Sequence, residues 1–181
     1  MRESPGAESG PAPALTPERF RRATSRYATG IALITTRFAG VDHAMTANSF
    51  TSVSLDPLLA LVCVERDSRF HRAIEGAGVW AASFLPAGSE ALARWFATRG
   101  RPLAGQFDGV PTRRGANGCL LVESALAGLE LRTEQAVPAG DHDVLIGAVT
   151  AIHDPVAEID PGQPGAAGPT VYFARRYWHL T

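Results

Sequence analysis

The sequence contains no lysine, and this absence limits the chemistry that the protein can perform. All 17 of its basic residues are arginines. The lysines that form Schiff bases, bind phosphate in P-loops and anchor pyridoxal phosphate are therefore all missing. Any phosphate group that the protein binds must be held by arginine, by hydroxyl groups or by backbone amides.

Cysteine is also scarce, and the sequence has no pattern of metal ligands. The two cysteines, Cys63 and Cys119, are far apart, and Cys63 lies inside an apolar run. The five histidines show no metal-ligand spacing, and the motifs H-E-x-x-H, C-x-x-C and G-x-S-x-G are not present. We therefore predict no metal site and two reduced, buried thiols.

The chain has neither a strong net charge nor a long apolar run. Because its formal net charge is -1, we expect neither nucleic acid nor an anionic membrane as a partner. No apolar run approaches transmembrane length, and the first 17 residues lack the apolar segment of a signal peptide. These features predict a cytoplasmic protein.

The length and the spacing of short apolar segments predict the fold class. A chain of 181 residues has room for one sizeable core. Residues 1–14 are expected to form a disordered tail, and residues 15–181 a single domain with a Pro/Gly-rich insertion at 154–169. Many strands with short connections predict a mainly β fold, an antiparallel barrel with a few peripheral helices. The predicted strands are 31–36, 44–54, 58–64, 79–85, 119–122, 128–137, 144–152 and 170–173, and the predicted helices are 16–27, 68–75 and 89–97.

A polar extended stretch beside an apolar strand is the most informative feature. Residues 44–54 carry mainly small hydroxyl and amide side chains, whereas residues 58–64 are apolar without a break, which is typical of a strand buried on both faces. Small side chains let a flat ligand approach the backbone, and hydroxyls and amides offer donors and acceptors at its rim. The polar stretch is therefore either a ligand-binding wall or a polar edge strand or loop.

Arginines cluster where the apolar strand ends. Arg66, Arg69 and Arg72 surround a predicted helix start at Asp67 or Ser68. A capped helix start next to arginines can hold an anion. The alternative is an ordinary capped surface helix with solvated arginines.

The sequence contains two further motifs, one of which is a candidate ligand contact and the other of which we reject. His142 lies between two aspartates in the tight connection 139–142, where its side chain would point outward, so it is either a ligand contact or a turn histidine. Residues 76–81 match the dinucleotide motif G-x-G-x-x-A. This match follows a helix and opens a strand, which is the reverse of the required context, so we reject it as a nucleotide site.

Several motifs occur in order along the chain: Thr29-Gly30-Ile31, TANSFTSVS at 46–54, Asp56-Pro57, residues 61–64 with Ser68, Phe107, Gly140-Asp141-His142 and residues 172–177. Taken together, they resemble the flavin reductase family, which has the FMN-binding split-barrel fold of Greek-key topology. The match runs from Phe20 to the end of the chain and is closest to the small reductase components of two-component flavin-dependent monooxygenases, including those of actinomycete antibiotic and other natural-product pathways. The chain departs from the family at Pro57-Leu58, where two prolines are common, at its long insertion, and at residues 175–177, where G-R-Y is common.

The resemblance implies an NAD(P)H-dependent flavin reductase that transfers hydride from NADH or NADPH to FAD or FMN. It also implies a homodimer with flavin near the subunit seam, which supplies reduced flavin to a partner monooxygenase. No side chain need act as an acid or base, because the cofactors carry the chemistry. The flavin-binding residues it implies are Thr46, Ala47, Asn48, Ser49, Cys63, Val64, Ser68, Arg69 and Phe107. The residues it implies for NADH are His142, Arg175 and Tyr177.

Two alternatives share the same barrel. One is an oxidase acting on a pyridoxamine phosphate, which would need a richer basic cluster than the sequence shows. The other is a non-catalytic flavin- or haem-binding protein. Adding NADH to the flavin-loaded protein without oxygen separates a carrier from a reductase, since only a reductase bleaches the flavin.

Overall fold

The computed structural model describes residues 14–154 and 168–179, which form three helices and twelve strands. The predicted tail, except for its last residue, and most of the predicted insertion lie outside the described residues. The helices are α1 (Pro17–Thr24), α2 (Arg69–Ala77) and α3 (Glu90–Ala97). The strands are β1 (Thr29–Gly30), β2 (Ala32–Phe38), β3 (Val41–Ala47), β4 (Thr51–Leu55), β5 (Leu58–Glu65), β6 (Val79–Phe84), β7 (Thr112–Arg114), β8 (Leu120–Val122), β9 (Gly128–Ala139), β10 (His142–His153), β11 (Thr170–Phe173) and β12 (Arg176–His179).

Seven strands form one antiparallel sheet in the order β3-β2-β6-β9-β10-β5-β4. Ile34 of β2 and Val62 of β5 belong to one core cluster although three strands separate them in the sheet. The sheet must therefore curve around that core, because a flat sheet would hold these side chains apart. The predicted mainly β, antiparallel fold with peripheral helices is confirmed.

Two helices cover the barrel and position the site. Helix α2 contributes Phe70 and Ile74 to the core inside the sheet. Helix α3 packs Ala93 and Phe96 against a second core on another face, which includes Leu33. Burial of these side chains supplies most of the helices' stability, because helices this short are marginal alone.

The prediction of one polar strand over residues 44–54 is wrong. The chain leaves β3 at Ala47 and enters β4 at Thr51, so residues 48–50 form a connection instead. These residues lie outside the sheet and connect β3 to β4, which are the strands at its two opposite edges. Their backbone groups are therefore free of ladder partners.

The prediction that residues 58–64 are buried on both faces is also wrong. In β5, Ala60, Val62 and Val64 are buried, whereas Leu59, Leu61 and Cys63 are only partly buried. Only one face of β5 meets the barrel core, and its neighbour β4 is a mostly exposed edge strand. An unbroken apolar run shows that a strand is hydrophobic, but it does not show whether other residues cover both faces of that strand.

Smaller differences lie at the ends of the elements. Helix α1 begins after the predicted cap Thr16, whose Oγ1 accepts a hydrogen bond from the Arg19 amide at 3.3 Å, but it ends at Thr24, before the predicted Tyr27. Residues 99–118 are rich in Gly, Arg and Pro, which predicts a long loop, but they contain β7. A further strand, β12, follows the predicted last strand. No helix in the described ranges is long and apolar enough to cross a membrane.

Two side chains are more exposed than predicted. The amphipathic pattern of the predicted helix 89–97 puts Trp95 on the inward face with Phe96, but the Trp95 side chain lies at the surface and its indole N–H donates to the Gln106 carbonyl at 2.9 Å. Both cysteines are free, as predicted, but only Cys119 is buried, and its burial raises the thiol pKa to about 11. Cys63 is only partly buried because it lies on the outer face of β5.

Candidate functional site

A cleft of about 510 Å³ opens where β3 and β5 end and α2 begins. The segment that follows α3 forms its opposite wall. Predicted flavin residues that line the cleft are Thr46, Ala47, Asn48, Ser49, Cys63, Ser68 and Arg69, and the predicted NADH residue His142 lies at its rim. The other lining residues are Ala44, Met45, Glu65, Asp67, Phe70, Phe96, Ala97, Thr98, Arg99, Gly100 and Arg101.

The wall formed by residues 46–49 is fixed by hydrogen bonds to its neighbours. Thr46 Oγ1 donates to the Ala93 carbonyl of α3 at 2.7 Å. Ser49 Oγ accepts a hydrogen bond from the Cys63 amide at 3.1 Å, beyond the last paired residues of β4 and β5. The Ser49 hydroxyl therefore replaces a strand partner for Cys63. The wall is rigid and presents small side chains to the cleft.

The start of α2 gives the cleft a positive end. Ser68 caps the helix, because its Oγ accepts from the His71 amide at 3.0 Å and donates to the Glu65 carbonyl at 2.7 Å. Arg69 is the first helical residue and lines the cleft. The free amides of the first turn and the Arg69 guanidinium together favour an anion at this end.

A second arginine of the cleft, Arg101, is almost completely buried. Its guanidinium donates to the Gln106 side chain at 3.2 Å and to the Phe96 carbonyl at 3.0 Å, and it also contacts the Ala44 carbonyl. Burial, assisted by repulsion from Arg69, lowers the pKa of Arg101 to about 10. The group remains a cation at neutral pH and locks the segment after α3 against β3.

An ion pair lies at the mouth of the cleft. The Arg99 guanidinium contacts both carboxylate oxygens of Glu65, and the Arg99 side chain is largely exposed. Hydrogen bonding to Glu65 raises the pKa of Arg99. Because the pair is solvated, its energetic value is small, and an incoming anion can compete for Arg99.

His142 is the first residue of β10 and not part of the turn, so its predicted position is shifted by one residue. Its Nδ1 lies 2.7 Å from Asp141 Oδ1, and this hydrogen bond lowers the pKa of the Asp141 carboxyl. The side chain is 42% exposed. The next residue, Asp143, is held by His71 at 2.7 Å and Arg66 at 2.6 Å, which fixes the start of β10 beside the cleft.

Four of the predicted site residues do not line the cleft. The Val64 side chain is fully buried in the barrel core. Phe107 lies behind the cleft wall, with its ring centroid 5.0 Å from that of Phe96. Arg175 and Tyr177 line a separate pocket that shares Ala97 and Thr98 with the cleft.

The sequence interpretation missed the wall that follows α3. Residues 96–101 were predicted to be the end of a helix and a loop, with no site role. Arg99 and Arg101 occur in a Gly/Arg/Pro-rich segment whose composition indicates a loop but gives no direction for its side chains. Only the fold brings these arginines opposite β3.

Comparisons with known proteins identify the family of this chain. The family model for the flavin reductase like domain matches residues 24–181. The chain therefore belongs to this family, as its sequence motifs predicted. Among curated relatives, it is 34% identical over 163 residues to the reductase component of 4-hydroxyphenylacetate 3-monooxygenase from Thermus thermophilus, covering 90% of this chain and 96% of the relative.

Another relative is longer than this chain. The protein is 37% identical over 139 residues to a probable flavin reductase of Rhizobium meliloti, and the match covers 76% of this chain but 44% of the relative. Among solved structures, the NADH:FAD oxidoreductase of Streptomyces globisporus in complex with NAD and FAD fragments has a TM-score of 0.81 and 30% identity. That match covers 94% of this chain and 98% of the other, so the two proteins share the fold throughout.

Proposed function

We propose that the protein is an NAD(P)H-dependent flavin reductase that reduces FAD or FMN at the cleft. The observation that carries this proposal is the combination of a rigid wall of small polar residues with a cationic helix start in one cavity. The wall suits a planar ring, and the cationic end suits the phosphate of a flavin nucleotide. A relative is named as a monooxygenase reductase component, and a structural neighbour as an NADH:FAD oxidoreductase.

The proposed roles follow from the position of each group. Thr46 and Ser49 present the wall along which the isoalloxazine ring lies, with Ala47 and Asn48 between them. Ser68 and Arg69 hold the phosphate end, and Arg101 adds a buried positive charge that the ring system and phosphate both experience. When both cofactors are bound, hydride passes from the nicotinamide to the flavin with its two electrons. The protein's contribution is to hold the two reactants in position and to exclude competing geometries.

Reduced flavin must then leave the protein, if it is to serve another enzyme. The ion pair between Glu65 and Arg99 at the mouth of the cleft is solvated and weak, so breaking it to release the flavin costs little free energy. We propose a flavin-dependent monooxygenase as the recipient, following the name of the Thermus thermophilus relative. The two free thiols fit a reducing compartment, and we propose the cytoplasm.

The proposed activity predicts that NADH oxidation depends on added flavin. In air, steady-state consumption of NADH by the protein should rise with FAD or FMN and then saturate. The Ser49→Leu variant described below is the matched control, since it keeps the phosphate end but closes the wall. No increase above the background rate with either flavin would contradict the proposal.

The position of His142 predicts a selective effect on the nicotinamide substrate. Replacing His142 by alanine is expected to raise the KM for NADH severalfold more than the KM for flavin, because we propose that this residue at the rim of the cleft contacts NADH and not the flavin. His142→Gln retains a hydrogen-bond donor and should lose less. Steady-state kinetics with each substrate varied in turn gives both constants, and an unchanged KM for NADH would return His142 to a purely structural role.

We also propose that the working unit is a homodimer. The sequence offers the apolar segment 79–85 and the Trp95-Phe96 helix as interface candidates, but β6 is largely buried, and so is Phe96 of α3. The structure instead leaves apolar side chains exposed on β4 and on its hairpin with β5, where Val53, Leu55 and Leu58 are 46%, 86% and 44% exposed. A second copy covering this face would remove the exposed apolar surface from water.

The dimer proposal is tested by sedimentation from micromolar to nanomolar protein. A stable dimer with an apolar interface of roughly 2,000 Å² or more should persist throughout this range. Leu55→Asp is expected to shift the population toward monomer, because it would bury a charge in the interface. A fully active wild-type species that sediments as a 19.2 kDa monomer would contradict the proposal.

A further inference from the structure

The Asp143 carboxylate joins two parts of the candidate site, although Asp143 does not itself line the cleft. Its Oδ1 lies 2.6 Å from Arg66 Nε, and its Oδ2 lies 2.7 Å from His71 Nε2. We propose that Asp143 is a positioning residue, which holds the start of α2 and the rim residue His142 in the arrangement that binds the flavin phosphate and NADH. The inference rests on the proposed function and adds to it a residue that touches neither substrate.

The register of β10 directs His142 and Asp143 to opposite faces of the sheet. In the antiparallel pairing with β5, His142 lies opposite Glu65 and Asp143 lies opposite Val64. Side chains of directly opposite residues share a face. Glu65 lines the cleft, whereas Val64 belongs to the barrel core. His142 therefore faces the cleft, and Asp143 faces inward, toward the side that α2 covers.

On the helix side, Asp143 holds the first turn of α2. His71 is bound twice, because its backbone amide donates to the capping hydroxyl of Ser68 at 3.0 Å and its ring contacts Asp143. The amides of Arg69 and Phe70 belong to the same turn, where the helix supplies no acceptor. A rotation of this turn would redirect both amides. The contact between Asp143 and His71 therefore sets the direction in which the helix start faces the cleft.

On the strand side, Arg66 binds the residues on both sides of His142. Its backbone amide donates to the Asp141 carbonyl at 3.1 Å, and its guanidinium donates to Asp143. The Arg66 side chain is 40% exposed, but those of Asp143 and His71 are only 14% and 11% exposed. The carboxylate is thus largely withdrawn from water, where its contacts are stronger than those of a solvated surface pair. His142 is held at the rim by these contacts.

The sign of the expected effect separates the position of Asp143 from its charge. Hydrogen bonds from His71 and Arg66 lower the pKa of the Asp143 carboxyl, so the group is an anion at neutral pH. Through charge alone, replacing an anion near the phosphate by a neutral side chain would strengthen phosphate binding. If Asp143 acts by holding the helix start in place, the same change weakens phosphate binding.

The first test compares FMN with riboflavin in the Asp143→Asn variant. Asparagine has the size of aspartate but only one acceptor oxygen, so it cannot accept from both partners. Titration of flavin fluorescence should show that the Kd for FMN rises roughly tenfold, as for one lost charge-assisted hydrogen bond, while the Kd for riboflavin, which lacks the phosphate, changes less than about twofold. Equal changes for both flavins, unchanged constants or tighter binding of FMN would overturn the proposal.

The matched control is Glu75→Gln. It removes a 70% exposed carboxylate from the same helix, at 4.0 Å from His71 Nδ1, and should leave both flavin constants unaltered. A loss of FMN affinity in this variant equal to that in Asp143→Asn would show a general effect of charge on α2 and overturn the specific role of Asp143.

Two variants of His71 test the same contact from the helix. His71→Leu removes the contact but leaves the carboxylate and Arg66 in place, and it should weaken binding of FMN and not of riboflavin. His71→Gln keeps an N–H donor and should restore most of the affinity for FMN. If Asp143→Asn does not fold, these variants decide the proposal, since equal FMN affinity of His71→Leu and the wild type would overturn it.

A double-mutant cycle tests whether Asp143 affects NADH through His142. Asp143→Asn should raise the KM for NADH severalfold in the wild-type background but cause no further rise in the His142→Ala background. A rise by the same factor in both backgrounds would overturn the link to NADH, because it would show that Asp143 acts independently of His142.

The binding titrations also separate this inference from the proposed function. If the wild-type protein binds flavin but does not reduce it with NADH, the proposed function is wrong, and the comparison of FMN with riboflavin still decides the role of Asp143 because it requires no turnover. A wild-type protein that binds no flavin would overturn both. An active protein whose Asp143→Asn variant keeps every constant would overturn this inference alone.

Discussion

Replacing Ser49 by leucine is expected to abolish productive flavin binding. Ser49 is the last residue of the polar wall, and its partly buried side chain lines the cleft. A leucine side chain would occupy the space that a planar ring needs, because the wall is tied to β5 and α3 and cannot retreat. We expect the KM for flavin to rise on the order of a hundredfold or more, which corresponds to about 2.7 kcal/mol of lost binding.

The control variant must separate the effect of the added side-chain volume from the effect of the lost hydrogen bond. The Ser49 hydroxyl accepts from the Cys63 amide at 3.1 Å, so its removal leaves that amide without its partner and costs about 1 kcal/mol of folding stability. Ser49→Ala removes the same hydrogen bond without adding volume. Equilibrium titration of flavin fluorescence should show near wild-type affinity for Ser49→Ala and none for Ser49→Leu. Equal flavin affinities of the two folded variants would show that the isoalloxazine ring does not lie against Ser49.

Replacing Glu130 by leucine is expected to cause the largest loss of stability. The Glu130 carboxylate lies in β9, is only 1% exposed and accepts hydrogen bonds from the Ala116 and Asn117 amides and from His153, at 3.1, 2.6 and 2.7 Å. Leucine would leave these donors, which are partly screened from solvent, without their acceptor. The expected cost is about 3 kcal/mol or more, measured by chemical denaturation. Glu123→Leu is the control, since Glu123 is exposed.

The same carboxylate predicts a pH dependence. Burial alone would raise the pKa of Glu130, but the hydrogen bonds from Asn117, His153 and Ala116 outweigh it and hold the pKa below 4.5, the ordinary value. Because the native pKa is lower than that of the unfolded chain, the stabilisation is present at neutral pH. It is lost as the pH falls below 4.5. Glu130→Gln should flatten this acid dependence, and an unchanged pH profile would show that the carboxylate is not ionised in the native protein.

The sequence predicted the parts of the fold that local signals determine. Thr16 and Ser68 cap helices as their hydroxyl side chains predicted, and Gly78 ends α2 with a φ of 66°, which agrees with rejecting a nucleotide motif there. Most strands also lie near their predicted ranges. These features depend on residues close in sequence, so a pattern of a few residues is sufficient to predict them.

The features that depend on the assembled sheet could not be predicted in this way. Residues 48–50 leave the sheet because β3 and β4 lie at its opposite edges, and nothing in their composition indicates such a break. The alternating burial of β5 follows from the exposure of its neighbour β4. Periodicity describes one strand, whereas burial depends on what lies on each of its faces.

The candidate site likewise contains some residues that local patterns predicted and others that depend on long-range contacts. Residues 46–49, Ser68 and Arg69 lie together in one cleft, as the polar stretch and the arginine cluster suggested. Val64 is in the core because strand alternation turns its side chain inward, between Cys63 and Glu65. Arg101 reaches the cleft from a distant segment, through contacts with Ala44 and Phe96. Such long-range contacts cannot be inferred from a local motif.

The most direct test of the account is anaerobic reduction of flavin bound to the protein. An excess of the protein is mixed with FAD or FMN in the absence of oxygen, and NADH is added while the flavin absorbance is followed. We predict rapid bleaching, with one NADH consumed per flavin, and no comparable bleaching with the Ser49→Leu variant. Flavin that binds to the cleft but keeps its yellow absorbance after NADH is added would contradict the account and show a flavin carrier instead.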